Sequence, residues 1–110
     1  MEYSKCDISY DEGILIINLS GDIDHHSASK IREEIDAALY LYRASTVIMD
    51  LGAVDFMDSS GLGLILGRYT KINSLGGRLI LANPSENTEK ILILSGADKM
   101  ITVKNKEKQS

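Results

Sequence analysis

The residues with the greatest chemical capacity stand together at Asp58-Ser59-Ser60-Gly61, between a β-rich apolar run and a helical pattern. A serine becomes a nucleophile when a base takes its proton and donors hold the developing oxyanion. It can otherwise cap a helix, or accept a phosphoryl group in another protein's active site. No Gly-x-Ser-x-Gly elbow is present, and the two histidines are the adjacent pair His25 and His26. Neighbouring helical residues point about 100° apart, so at most one of the pair faces a given serine. The same pair, without a further Cys or His set, makes no zinc site. Gly61-Leu62-Gly63-Leu64-Ile65-Leu66-Gly67 is not Gly-x-Gly-x-x-Gly and lacks the Gly-Lys-Ser/Thr of a P-loop. No catalytic residue, metal ligand or cofactor is expected, and the chain reads as a non-enzyme.

Asp58, Ser59 and Ser60 are all good helix caps. That they only cap the following helix stays open at this level. One cap suffices, however, and three stand in a row. Gly61, Gly63 and Gly67 lie inside the helical pattern, where each costs about 0.5–1 kcal/mol relative to Ala. Gly63 and Gly67 are four apart and share a face that another backbone could approach. Leu64 is expected to project away from the main apolar face, as an exposed docking residue. A phosphoryl group on a serine here would add about -1.5 to -2 charges beside Asp55 and Asp58, with Asp22 and Asp24 on a second acidic turn. A helix N-terminus, with its unpaired N–H groups, tolerates an anion. A docking surface does not: misplaced like charge costs several kcal/mol, and about 1.4 kcal/mol is tenfold in affinity.

Cys6, Ile8 and Tyr10 alternate with polar residues, as a half-buried strand does, and Cys6 reads as a small core residue. Asp11-Glu12-Gly13 is a turn, and Ile14 to about Gly21 a second strand, giving an antiparallel hairpin. Ile31, Ile35, Leu39 and Tyr42 form one face of a helix from about Asp24, its expected N-cap, to Arg43. Thr46 to Leu51 reads as a central strand covered on both faces. The second helix runs to about Ser74, with Leu62, Ile65, Leu66, Tyr69 and Ile72 as its core face, and Leu75-Gly76-Gly77 stops it. Arg78–Ala82 is a strand. Ser85 caps a third helix carrying Ile91, Leu92 and Leu94, which ends at Gly96, and Met100–Val103 is the last strand. The order β-β-α-β-α-β-α-β predicts one α/β domain over 1–103, with a mixed, mostly parallel sheet of about five strands and crossover helices. Residues 104–110 are expected to be a polar tail. Function in such sheets sits beyond the carboxyl ends of strands, where both acidic turns fall.

The 110 residues are 44% hydrophobic with a net charge of -4, enough for one core and without the basic stripe of a nucleic-acid binder. Lys104, Lys106 and Lys108 read as a solvated end. A single cysteine excludes an internal disulfide and fits a reducing compartment. The start, Met1 to Lys5, lacks signal-peptide order, and no apolar run approaches the roughly 20 residues of a membrane span. The chain is expected to be cytoplasmic, off the membrane and monomeric when free.

Phe56-Met57-Asp58-Ser59-Ser60-Gly61-Leu62-Gly63, continuing through Leu66-Gly67-Arg68-Tyr69, closely resembles the phosphorylation-site helix of bacterial anti-sigma factor antagonists, in the STAS domain family. Gly21-Asp22-Ile23-Asp24-His25-His26 resembles the other signature turn of the sporulation branch, the anti-sigma F factor antagonists. Strand order and the Gly76-Gly77 stop match as well, whereas Met100 to Ser110 is shorter than the family's usual ending. The resemblance implies that Ser59 is the phosphoacceptor and Ser60 its unmodified neighbour. It also implies that Asp24 contacts the partner, with Asp58, Gly61, Leu62, Gly63 and Leu64 completing the docking surface. The implied partners are an ATP-binding anti-sigma factor that is also the serine kinase, and a metal-dependent serine phosphatase. Two other readings are weighed beside it: a general-stress antagonist or stress-complex scaffold on the same fold, and a small nucleotide-binding or hydrolytic enzyme.

Overall fold

Alternating side chains and tight turns build the sheet from the first strand onward. The computed structural model describes residues 5–105. β1 (Lys5–Asp11) and β2 (Ile14–Ile23) pair antiparallel. Their link is the pair Glu12 and Gly13, at φ 49° and 86°, the left-handed geometry that matches strand twist in a two-residue hairpin. β2 then pairs parallel with β3 (Thr46–Met57), β3 with β4 (Arg78–Ala82), and β4 with β5 (Thr102–Lys104). The spatial order is β1-β2-β3-β4-β5. The crossovers are α1 (His25–Tyr42), α2 (Ser59–Ser74) and α3 (Glu86–Ser95), the last followed by a 3-10 turn at Ala97–Lys99. The mixed, mostly parallel α/β architecture is the one expected.

Register puts Leu15, Val47 and Leu79 in one row, and Ile17, Met49 and Leu81 in the next. These meet Ile31, Ile35 and Leu39 of α1, Ile65 and Ile72 of α2, and Leu92 of α3 in one buried cluster. All three helices therefore cover the same face. The expectation that Thr46–Leu51 is covered on both faces is corrected: Thr46, Ile48 and Asp50 are only half-buried, and Ile14 and Ile16 beside them are exposed. β3 is also longer than expected, because it passes through Gly52 on a bulge. Asp50 Oδ1 accepts from the Gly52 N–H at 2.8 Å, and Asn83 Nδ2 donates to Asp50 Oδ2 at 3.1 Å.

The face of α2 is rotated from the expected one. Leu64 is 5% exposed and Arg68, one turn on, is 7% exposed, whereas Leu62, Leu66 and Tyr69 are only partly buried. The reason lies on α1. Arg68 Nε stands 3.1 Å from Asp36 Oδ1, an ion pair without hydrogen-bond alignment, and this lets a charged residue occupy a core-facing position. Burial lowers the Arg68 pKa from its ordinary value, and Asp36 opposes that shift. Of the apolar residues expected on α3, Leu92 fills the core, whereas Leu94 is 86% exposed. Ser85 caps α3, accepting from the Thr88 N–H at 3.2 Å. The last strand begins at Thr102 rather than Met100, because Met100 ends the 3-10 turn, and Lys104 belongs to that strand rather than to a tail. Residues 106–110 of the expected tail, and Met1 to Ser4, lie outside the described residues.

Candidate functional site

β2 and β3 run parallel, so their carboxyl ends meet at one edge, with Ile23 opposite Met57. Each then turns directly into a helix. The joint is a backbone hydrogen bond in which the Asp58 N–H donates to the Ile23 carbonyl at 3.3 Å. Asp24 and Asp58, the next residue on each side, are the N-caps of α1 and α2. Asp24 Oδ1 accepts from the Ser27 N–H at 3.1 Å while Ser27 Oγ accepts from the Asp24 N–H at 3.1 Å, a reciprocal capping box. The Ser27 backbone bond holds the Asp24 carboxyl below its ordinary range. The spacing Asp24-x-x-Ser27 was the sequence signal for this pair, and sequence reasoning passed over it.

Asp58 alone provides the side-chain cap of α2. Its Oδ1 accepts from the Ser60 N–H at 2.8 Å and from the Gly61 N–H at 3.4 Å. This corrects the expectation that these first-turn donors are unpaired. Of the three capping residues in a row, the side-chain cap is therefore Asp58 rather than Ser59 or Ser60. Ser59 is the first residue of α2 and is exposed, and Ser60 is half-buried.

Gly61 is buried for a steric reason. A Cβ there would collide with Met57 Cγ and stand 3.1 Å from the Ile23 carbonyl oxygen. Only glycine lets the first turn of α2 lie against the end of β2. A Cβ on Gly63 would meet nothing within 4 Å, so that position is open to another backbone. Asp24, Asp58, Ser59, Ser60, Gly61, Leu62 and Gly63 thus gather around one edge. Leu64 does not join them. The expected exposed docking leucine is a core residue, since it sits above Arg68 on the side packed by α1.

Asp22 and Asp55 are exposed on the same edge, and His25 and His26 are exposed in the first turn of α1. Among the described residues, no group of three or more His, Cys, Asp or Glu side chains could hold a metal ion. Among the described residues, no helix is long and apolar enough to cross a membrane.

The polar side chains of this single α/β domain are thus concentrated at two adjacent helix starts. The chain belongs to the STAS domain family, which residues 6–110 match. Within it the chain is similar to the anti-sigma F factor antagonist of Paenibacillus polymyxa, 35% identical over 94% of this chain and 88% of that protein. It is 43% identical to the anti-sigma F factor antagonist of Lysinibacillus sphaericus, over 74% of this chain and 70% of that one. The Bacillus cell fate determinant SpoIIAA, solved in its phosphorylated form, superposes with a TM-score of 0.73 at 33% identity, covering 94% of each chain. These relatives are regulatory proteins by name.

Proposed function

We propose that this protein is an anti-sigma factor antagonist of the SpoIIAA type, switched by phosphorylation at Ser59. One observation carries the reading: an exposed hydroxyl stands at the first position of α2, on a helix start already capped by Asp58. In the unmodified form the edge formed by Asp24, Asp58, Ser59, Ser60, Leu62 and Gly63 binds an anti-sigma factor that is also an ATP-dependent serine kinase. Binding frees the sigma factor. The kinase then transfers a phosphoryl group. The Ser59 oxygen bonds to the γ-phosphorus, the bond to the ADP oxygen breaks, and the hydroxyl proton passes to a base on the kinase. The product carries about two further negative charges among Asp22, Asp55 and Asp58, and its partner releases it. A metal-dependent phosphatase restores the hydroxyl by adding water across the O–P bond, releasing inorganic phosphate. The cytoplasm supplies the ATP. The sporulation sigma F circuit is favoured because relatives at 35% and 43% identity bear that name.

Ser59→Ala should bind the kinase as tightly as the wild type and never lose that binding in ATP. Ser59→Asp should bind at least about tenfold more weakly, a difference of about 1.4 kcal/mol. Calorimetric titration against the kinase checks both, and mass mapping after incubation with ATP locates the phosphate. Equal affinity for the two variants, or phosphate on Ser60, overturns the reading.

A further inference from the structure

β3 has 12 residues and β2 has 10, and two bulges in their pairing absorb the difference. Pairing steps from Asn18–Asp50 to Ser20–Ala53, and from Gly21–Val54 to Asp22–Phe56. A bulge changes which side chains face the core from that point on. Counting by twos from buried Val54 would turn Phe56 inward and Met57 outward. The second bulge, with Asp55 as its extra residue and Gly21 at φ 82° opposite, reverses both. Phe56 is 54% exposed and Met57 is 3% exposed. Phe56 is the one phenylalanine of the chain. Fully burying such a side chain is among the larger single contributions to stability, and the domain forgoes much of it. Among the described residues, the stacked and cation-bearing rings are those of Tyr10, Tyr40 and Tyr42, not Phe56.

We propose that Phe56 is the apolar anchor with which this protein engages the kinase, its ring entering an apolar pocket of that partner. This rests on the function proposed above and names a residue of the same surface. Phe56 lies three positions before Ser59, so their Cα atoms are at most about 11 Å apart. A standard interface covers about 800 Å² per partner, which takes in both. Asp22, its register partner, is exposed as well, and Asp55 and Asp58 flank it in sequence. An aromatic residue within a polar rim is the arrangement in which a few residues carry most of the binding energy. The same arrangement couples anchor to switch. A ring seated in its pocket draws the Ser59 turn against the partner, and a phosphoryl group there forces the ring out.

The test titrates the full chain and its Phe56→Ala, Leu41→Ala and Ser59→Asp variants against the kinase. Leu41 is 72% exposed at the far end of α1 and serves as the control. Phe56→Ala should weaken binding about tenfold or more and raise the KM for Ser59 phosphorylation with kcat nearly unchanged. Its melting temperature should stay equal or rise, and Leu41→Ala should match the wild type. If Phe56→Ala lowers the melting temperature, Phe56→Gln, which keeps side-chain length without the ring, takes its place with the same expectation. Wild-type affinity in these Phe56 variants, alongside weak binding by Ser59→Asp, overturns the anchor and leaves the switch standing. If Ser59→Asp binds like the wild type, the underlying function is wrong instead.

Discussion

Asp58 and Ser59 divide one helix start between them, the carboxylate closing it and the hydroxyl facing out. That division predicts that charge at Ser59 acts on partners rather than on the fold. The motif residues were legible in the sequence, but their separate tasks were not, because three good caps in a row look alike until a hydrogen bond selects one. Cys6 shows the opposite behaviour, a reactive group taken out of use. Its thiol is pushed up to about 12 by burial first and by the Glu34 carboxylate next. In the unfolded chain the thiol titrates near its ordinary value of 9.0. The stabilisation from keeping it neutral is therefore complete below that pH and is lost as pH rises from there toward 12. Urea midpoints measured from pH 8 to 11 should fall more steeply for the wild type than for Cys6→Ala. Parallel curves would show that burial does not hold the thiol neutral.

Two glycines of α2 have opposite roles. At Gly61 an added Cβ collides with Met57 and crowds Ile23, so Gly61→Ala should cost about 1–3 kcal/mol, as overpacking does. At Gly63 the space is open, and Gly63→Ala should stabilise the helix by about 0.5–1 kcal/mol while hindering close approach of the partner. Denaturant unfolding of both variants, paired with kinase titration of the second, checks this. Periodicity located α2, its end and the core contacts of Leu62, Ile65, Leu66, Tyr69 and Ile72, but left out Leu64 and Arg68, which are buried deeper than three of these. Leu64 lies off the stripe marked by Leu62, Ile65, Leu66 and Tyr69, and the side it shares with Arg68 carries a charge. A pattern of apolar residues cannot register a charge neutralised by Asp36 on another helix. The apolar run that marks β3 in the sequence ends at Leu51, six residues before the strand does. Gly52 reads as a breaker, whereas bulges held by the Asp50 side chain and by Gly21 carry the strand on to Met57. The exposure of the Phe56 ring was not legible either, since side-chain direction after a bulge depends on the partner strand.

Across the whole domain, topology was the most legible level: strand and helix alternation after an opening hairpin leaves few arrangements. Coverage was not legible, because apolar residues on a bare face, such as Ile14, Ile16 and Ile48, look the same in sequence as core residues. Amide exchange should be slowest across Leu15–Leu19, Val47–Leu51 and Leu79–Leu81, whose strands have neighbours on both sides, and fastest in β5, a three-residue edge. Protection spread evenly over the sheet would contradict this. The order β1-β2-β3-β4-β5 has a consequence for synthesis. Each strand pairs with the one made just before it, across a single turn or a single helix, so every loop closed during folding is short for a parallel sheet. A chain emerging from the ribosome can extend its sheet one strand at a time and need not hold an early strand open for a late arrival.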